Sequence, residues 1–425
     1  MRTRSLLLLA FVTGCGGGAT STGGPDAGVT LPDESAPAPA TDAAAPNGPA
    51  TDMAGNATAA DMAKPSPDLA PAQPLPQTEF LNGAQNLGTP VIDASPDESG
   101  NLWVVAPDAL YIRRAGSSSF RKYTNADGLH IYSYITAVAG GAQDEGWVGL
   151  EGVDAPDPNV LPLDQQQEGH AEHVHLMPDG SITSLHYADL HTDVSSNYWE
   201  NPSARRLLYV HSGAAAGHLF MGMNHGIDHV FDDAWGDHIH VEVYLPDGSG
   251  TYGEWYGLAV QPDGMLWTCG KEACGLQRWS ADPRAWVNAG YKYAFTAFQG
   301  GHDLMVPAGY REDFVGTAIG ADGTVYMLSR PFGLAAWLPG NYDYQHIHGV
   351  TVPGLGTPVD IVADPDGTLW IADTGQVLRF DPATGKATPF SVPSGDIRRL
   401  YMDTRSTPRT LYVATGDGLA IYRGK

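Results

Sequence analysis

Seven times the chain repeats a short strand that carries an aromatic residue after a turn. The copies are Gly100-Asn101-Leu102-Trp103, Gly146-Trp147-Val148-Gly149, Gly217-His218-Leu219-Phe220, Gly264-Met265-Leu266-Trp267, Gly323-Thr324-Val325-Tyr326, Gly367-Thr368-Leu369-Trp370 and Arg409-Thr410-Leu411-Tyr412. Their aromatics stand 44, 73, 47, 59, 44 and 42 residues apart. The clearest unit holds an apolar run at 359–363, an Asp-Gly turn, the aromatic strand, Val377-Leu378-Arg379-Phe380, a second Asp/Gly turn and a further strand. That is an antiparallel meander of four strands. Repeats of about 40–45 residues built this way are the blades of β-propellers. An all-β, seven-bladed β-propeller is therefore expected over 78–425. The last repeat runs out after its third strand, 418–422. An unclosed ring would leave a sheet edge bare, so residues 80–82, just upstream of the first inner strand at 90–94, are expected to supply the missing outer strand.

The G-x-L-W-[VI]-[AG] strands after Asp-Gly turns resemble blades of the two-component-regulator propeller type. They are also similar to NHL-type and streptogramin-lyase-like propellers. The resemblance covers about 350 residues and implies the fold. It implies function only loosely, because such propellers host sensors, lyases, lactonases and binding platforms.

Ahead of the repeats the chain reads as an address. Arg2 and Arg4 precede a short apolar run at 6–12, and Val12-Thr13-Gly14-Cys15 follows. A charged n-region and a short h-region form a secretory signal. Small residues before a cysteine resemble a bacterial lipobox, which implies a signal peptide at 1–14 and a diacylglycerol on Cys15. An ordinary signal peptide with an incidental cysteine is the competing reading. From 16 to 77 there is no aromatic residue, and Ala and Pro dominate. Such a stretch buries too little apolar surface to offset its chain entropy, so 15–77 is expected to be a lipidated, disordered tether. The expected location is the bacterial cell envelope, with the head held by its lipid at a membrane, the outer one for preference. Lys+Arg number 23 against 48 Asp+Glu, a net charge of −25, which argues against nucleic acid as a partner.

No nucleophile elbow, P-loop or H-E-x-x-H occurs. Asp263, Asp322, Asp364 and Asp366 sit in turns between first and second strands, where Asp serves as a turn former. The segment 154–159 has some Ca2+-loop flavour without the glycine or distal glutamate of an EF-hand. Cys269 and Cys274 flank a hairpin connection, and a disulfide suits an oxidising compartment; zinc binding is the alternative.

Histidine departs from this plain pattern. Eleven of the 15 lie between 170 and 240. His173 and His175 share one face of a strand, as do His238 and His240, and the two strands read as equivalent third strands of adjacent blades. His170, His173, His225, Asp228, His229, His238 and His240 are the candidate ligands of a divalent metal, Zn2+ or similar. The alternatives are polar residues satisfied at strand ends, and a protonation switch near neutral pH.

Two functions compete. The favoured one is a tethered platform that binds a small molecule, a glycan or a protein. The other is a metal-dependent lyase or lactone hydrolase, as the streptogramin-lyase-like resemblance implies, with Glu172 or Glu242 as base.

Overall fold

In most units the second strand is buried along its whole length instead of alternating. Leu102–Ala106, Leu219–Met223, Leu266–Gly270, Val325–Ser329 and Leu369–Asp373 are each buried throughout. A strand buried on both faces must lie in a sheet sandwiched between two others. That is the arrangement in the computed structural model. It describes residues 73–74, 78–131, 133–151, 170–188, 203–223, 227–231, 234–239, 243–244, 250–251, 254–270, 274–277, 295–298, 313–337 and 347–424. These all fall in one unit, 56–425. The signal, Cys15, the tether up to 72, the 154–159 segment, His225, His240 and Glu242 lie outside the described residues, as do the side chains of His170, Asp228, His238 and Cys274.

Six sheets hold four strands, and a seventh has the same four antiparallel strands with a fifth, Gln73–Pro74, added in parallel. A separate two-stranded ribbon, Val243–Tyr244 with Gly250–Thr251, lies between the third and fourth sheets in sequence. Taken in chain order the seven blades span 93–123, 135–188, 204–239, 255–298, 314–350, 358–391 and 397–423. Each first strand packs on the next blade's first strand, and the seventh returns to the first, so the ring is closed.

Packing follows from this. Among the described residues there are seven apolar clusters, one at each junction between neighbouring blades. The repeated aromatics are distributed one to a junction. Trp103 lies between blades 1 and 2, Trp147 between 2 and 3, Phe220 between 3 and 4, and Trp267 between 4 and 5. Tyr326 and Trp370 serve the next two junctions, and Tyr412 packs at the seventh. Two turn aspartates reach further than their turns. Asp97 accepts the indole N–H of Trp103 at 2.9 Å, and Asp364 that of Trp370 at 3.3 Å. Asp263, Asp322 and Asp366 each accept the backbone N–H two residues on, the Asx turn expected of them. Blades approach closely where side chains are absent: a Cβ on Gly146 would lie 2.6 Å from the Trp103 ring.

The outer strand of blade 7 comes from the other end of the chain. Thr78–Leu81 pairs antiparallel with Gly418–Arg423, with Phe80 opposite Ala420 and Leu81 opposite Leu419. The strand starts two residues before the expected 80–82 and stops one residue earlier, because Asn82 caps a 3-10 turn at Gly83–Gln85. Leu81 is buried, and Glu79 joins Arg113 at 3.1 Å and Arg423 at 2.9 Å. The first inner strand is Asp93–Pro96 instead of 90–94; Pro90 has no N–H to give a ladder.

Removing residues 16–77 should leave the melting temperature within about 2 °C of the parent, since among the described residues this span contributes a two-residue edge pairing, Gln73–Pro74 on blade 6, and terminal chain of that kind adds little packing. Removing 16–82 should lower it by at least about 5 °C, because loss of the buried Leu81 alone is worth about 2–4 kcal/mol in a domain of this kind. Thermal denaturation of the two truncations checks this, and equal melting points would refute closure by this strand.

Candidate functional site

The third strand of blade 2, His170–Leu176, pairs with Glu145–Leu150, setting His175 opposite Glu145 and His173 opposite Trp147. Residues opposite one another in a ladder share a face. Glu145, Trp147, His173 and His175 thus stand together on the side of the blade that faces blade 3. His173 stacks on Trp147 with ring centroids 4.0 Å apart and planes 3° from parallel. Its Nε2 lies 3.2 Å from Glu145 Oε2, and His175 Nδ1 lies 3.2 Å from Glu145 Oε1. Backbone bonds fix the glutamate: its N–H donates to Ala142 and its carbonyl accepts from Gly141. Next to it, Asp144 accepts from Asn101 of blade 1 at 2.8 Å.

The opposite face of the same strand carries Glu172. It is fully buried and accepts from His130, through Nδ1 at 2.6 Å and through the backbone N–H at 2.7 Å. Hydrogen bonding to this carboxylate raises the His130 pKa. Glu172 thus lies at the junction with blade 1, on the face away from Glu145, His173 and His175.

Blade 3 repeats the stacking one junction along. Its third strand, Ile227–Phe231, sets His229 opposite Phe220, and the two rings stack at 4.5 Å and 8°. His229 Nε2 meets His218 Nδ1 at 2.8 Å. Burial, with His218 beside it, pushes the His229 pKa well down. His238 belongs to the fourth strand, Ala234–Ile239, opposite Asp228 in register. The blade-3 counterpart of His173 is thus His229, and not His238 as the sequence spacing suggested. The insertion before the fourth strand is only two residues long, which hid the hairpin. His173 and His229 occupy equivalent positions in different junctions. His170 lies at the start of its strand, opposite Leu150. Glu145, His175 and His218 complete these two groupings and were not among the candidate ligands, although alternation had already put His175 on the face of His173; strand register across the hairpin is the signal that finds the other two.

A second grouping lies on the propeller axis. Arg206 of blade 3 reaches Asp360 of blade 6 at 2.8 Å, with side-chain exposures of 14 % and 1 %. Partners three blades apart can meet only across the central channel. Arg399 of blade 7 donates to the carbonyl of Arg205 in blade 3 at 3.0 Å. Asp93 of blade 1 accepts from Val138 of blade 2, and Asp360 accepts from Leu400 of blade 7. Burial raises the Asp93 pKa, opposed by Arg399 and Arg206, and burial together with Arg206 lowers that of Arg399. Burial works against Arg206 too, but Asp360 and Asp93 outweigh it and raise its pKa. Two acids and two bases balance, as buried charges require. Toward one face Arg205 pairs with Glu254 at 3.0 Å, and Tyr256 donates to Glu254; burial and that bond push the tyrosine up. Toward the other, Arg405 donates to Pro96 and lies 2.9 Å from His211 Nδ1. Burial and Arg405 together lower the His211 pKa.

A histidine with a depressed pKa takes up fewer protons folded than unfolded, so it costs stability as pH falls below the unfolded value of about 6.5. His229 should make the protein less stable from pH 7 toward pH 5, by at most about 1.4 kcal/mol per pH unit. His130, with its raised pKa, contributes in the opposite sense and is common to both proteins compared. His229→Phe, which keeps a ring on Phe220, should flatten the fall. Chemical denaturation of both proteins across this range checks it; parallel curves would refute it.

No family model and no curated protein matches the sequence. Solved structures do match the fold. Virginiamycin B lyase from Staphylococcus aureus, a catalytically inactive form with quinupristin, is 15 % identical with a TM-score of 0.53, over 81 % of this chain and 98 % of that one. YCF48 bound to D1 peptide is 15 % identical with a TM-score of 0.52, over 84 % and 99 %. The extracellular domain of a hybrid two-component system from B. thetaiotaomicron is 14 % identical with a TM-score of 0.51, over 81 % of this chain and 41 % of that one. At such identities the likeness extends to the β-propeller and no further.

Proposed function

We propose that the chain is an exported lipoprotein, anchored through Cys15 to a membrane of the bacterial cell envelope, whose propeller acts as a binding platform for a small molecule, a glycan or a protein. The observation that carries this reading is the closing strand. Thr78–Leu81 forms the outermost strand of blade 7, so the chain leading to it joins the ring at its rim. A tether attached there leaves both loop faces of the disc free to meet a partner. The charge pairs across the axis favour binding at the loops over binding deep in the channel.

Fractionation tests the anchor. The parent should sediment with membranes and Cys15→Ser should move to the soluble fraction; a variant that stays with membranes would overturn the lipid reading. Peptide mass analysis of the exported parent should show diacylglycerol on Cys15. The same spectrum reads the proposed Cys269–Cys274 bridge as the loss of two hydrogens. The two residues are directly opposed in the ladder, and opposed Cα atoms fall within disulfide reach.

The platform reading is tested against the enzymatic one. YCF48 with its D1 peptide exemplifies a propeller that binds, and virginiamycin B lyase with quinupristin one that acts. Quinupristin incubated with the full-length protein and a divalent metal should be recovered intact. Its cleavage would replace the platform with a lyase.

A further inference from the structure

We propose that Glu145, His173 and His175 form a binding site for a first-row divalent metal ion, Zn2+ by preference, at the edge of blade 2 that faces blade 3. The site does not depend on the platform reading.

The donor set is two imidazoles and one carboxylate, the mixture suited to Zn2+. One ligand atom from each residue lies within 4.8 Å of the others. Tetrahedral ligands on bonds of about 2.0–2.1 Å stand about 3.3 Å apart. Each Glu145–histidine separation, at 3.2 Å, is close to that edge length, His173 approaching Oε2 and His175 approaching Oε1 of the same carboxylate. The imidazole ring centroids are 4.4 Å apart at 47°, and binding one ion requires His175 and the carboxylate to turn until a single oxygen and both nitrogens converge on it.

Preorganisation comes from the fold. The parallel stack on Trp147 fixes the plane of His173, which is 3 % exposed, and the hydrogen-bonded turn at 142–145 fixes the glutamate. Exposure then rises outward, with Glu145 at 28 % and His175 at 39 %. Two consequences follow. The fourth coordination position opens to solvent, where water or a donor atom of a bound molecule can occupy it. The two outer ligands can also be replaced without disturbing the packed junction. The ion pairs of Glu145 among the described residues are with these two histidines, and no lysine or arginine neutralises it there.

A hydrogen-bonded cluster with no affinity for metal would have similar distances, and metal titration separates the two. Full-length protein, stripped with chelator, is dialysed against Zn2+, and Co2+ is used as a spectroscopic stand-in. One equivalent of Zn2+ should bind saturably at micromolar concentration, and Co2+ should give the visible absorption of a four-coordinate site. Glu145→Gln and His175→Ala should each weaken binding by at least about tenfold, since even outer-shell partners of a metal matter by that much. His229→Phe should leave it unchanged. Failure to saturate would overturn the proposal. So would binding that survives both substitutions, including binding that is lost instead on changing His225 and His240.

Discussion

Everything in this molecule depends on blades burying one another. A four-stranded sheet with two apolar faces cannot stand alone in water, because each face exposes a band of apolar surface. Here each face finds another blade, and the aromatic of each second strand fills the junction. Seven junctions need seven fillers, and Trp103, Trp147, Phe220, Trp267, Tyr326, Trp370 and Tyr412 are placed one to each. The ring is therefore a cyclic requirement. No blade is satisfied until its neighbours on both sides are present.

That requirement explains where polar residues occur. In most positions of a first strand the neighbours are other first strands, but in blades 1, 3, 6 and 7 a charged side chain turns to the axis. Asp93, Arg206, Asp360 and Arg399 supply the charges that meet there, and each finds an opposite charge or a backbone group from another blade. The same logic places Glu172 and His229 at buried positions within junctions, each with a histidine partner. The axial charges are paired across blades and the junction histidines within a blade or its connection, so buried polarity adds specificity to contacts that the aromatics make strong.

Much of this was legible from the sequence. The aromatic repeat, the Asx turns and the shortage of a strand in the last blade all appear as local patterns, because each is set by residues close together in the chain. The histidine groupings were legible only in part. That His173 and His175 share a face follows from alternation, but their meeting with Glu145 depends on register across an insertion of about 20 residues, which alternation does not fix. In blade 3 the strands 227–231 and 234–239 lie only two residues apart in sequence, a separation too short for the spacing to reveal, and this moved the counterpart of His173 from His238 to His229. The axial charges were the least legible. Arg206 and Asp360 are 154 residues apart, and nothing local links them. Their signature is a charged residue inside an otherwise apolar first strand, as in Val359-Asp360-Ile361.

The seam in blade 7 also orders events in time. Thr78–Leu81 is among the first parts of the propeller to be synthesised, while its partner Gly418–Arg423 comes last. Pairings so distant in sequence are slow to form, since loop closure is unfavourable until the intervening units are in place. The first blade must therefore wait for one neighbour throughout synthesis, with one face and the early strand unpaired. Such surfaces are the ones that aggregate or recruit chaperones. The interval between the emergence of residue 81 and that of residue 423 is the period of greatest exposure. Protection during that interval, more than the stability of the finished ring, sets how efficiently the fold is reached.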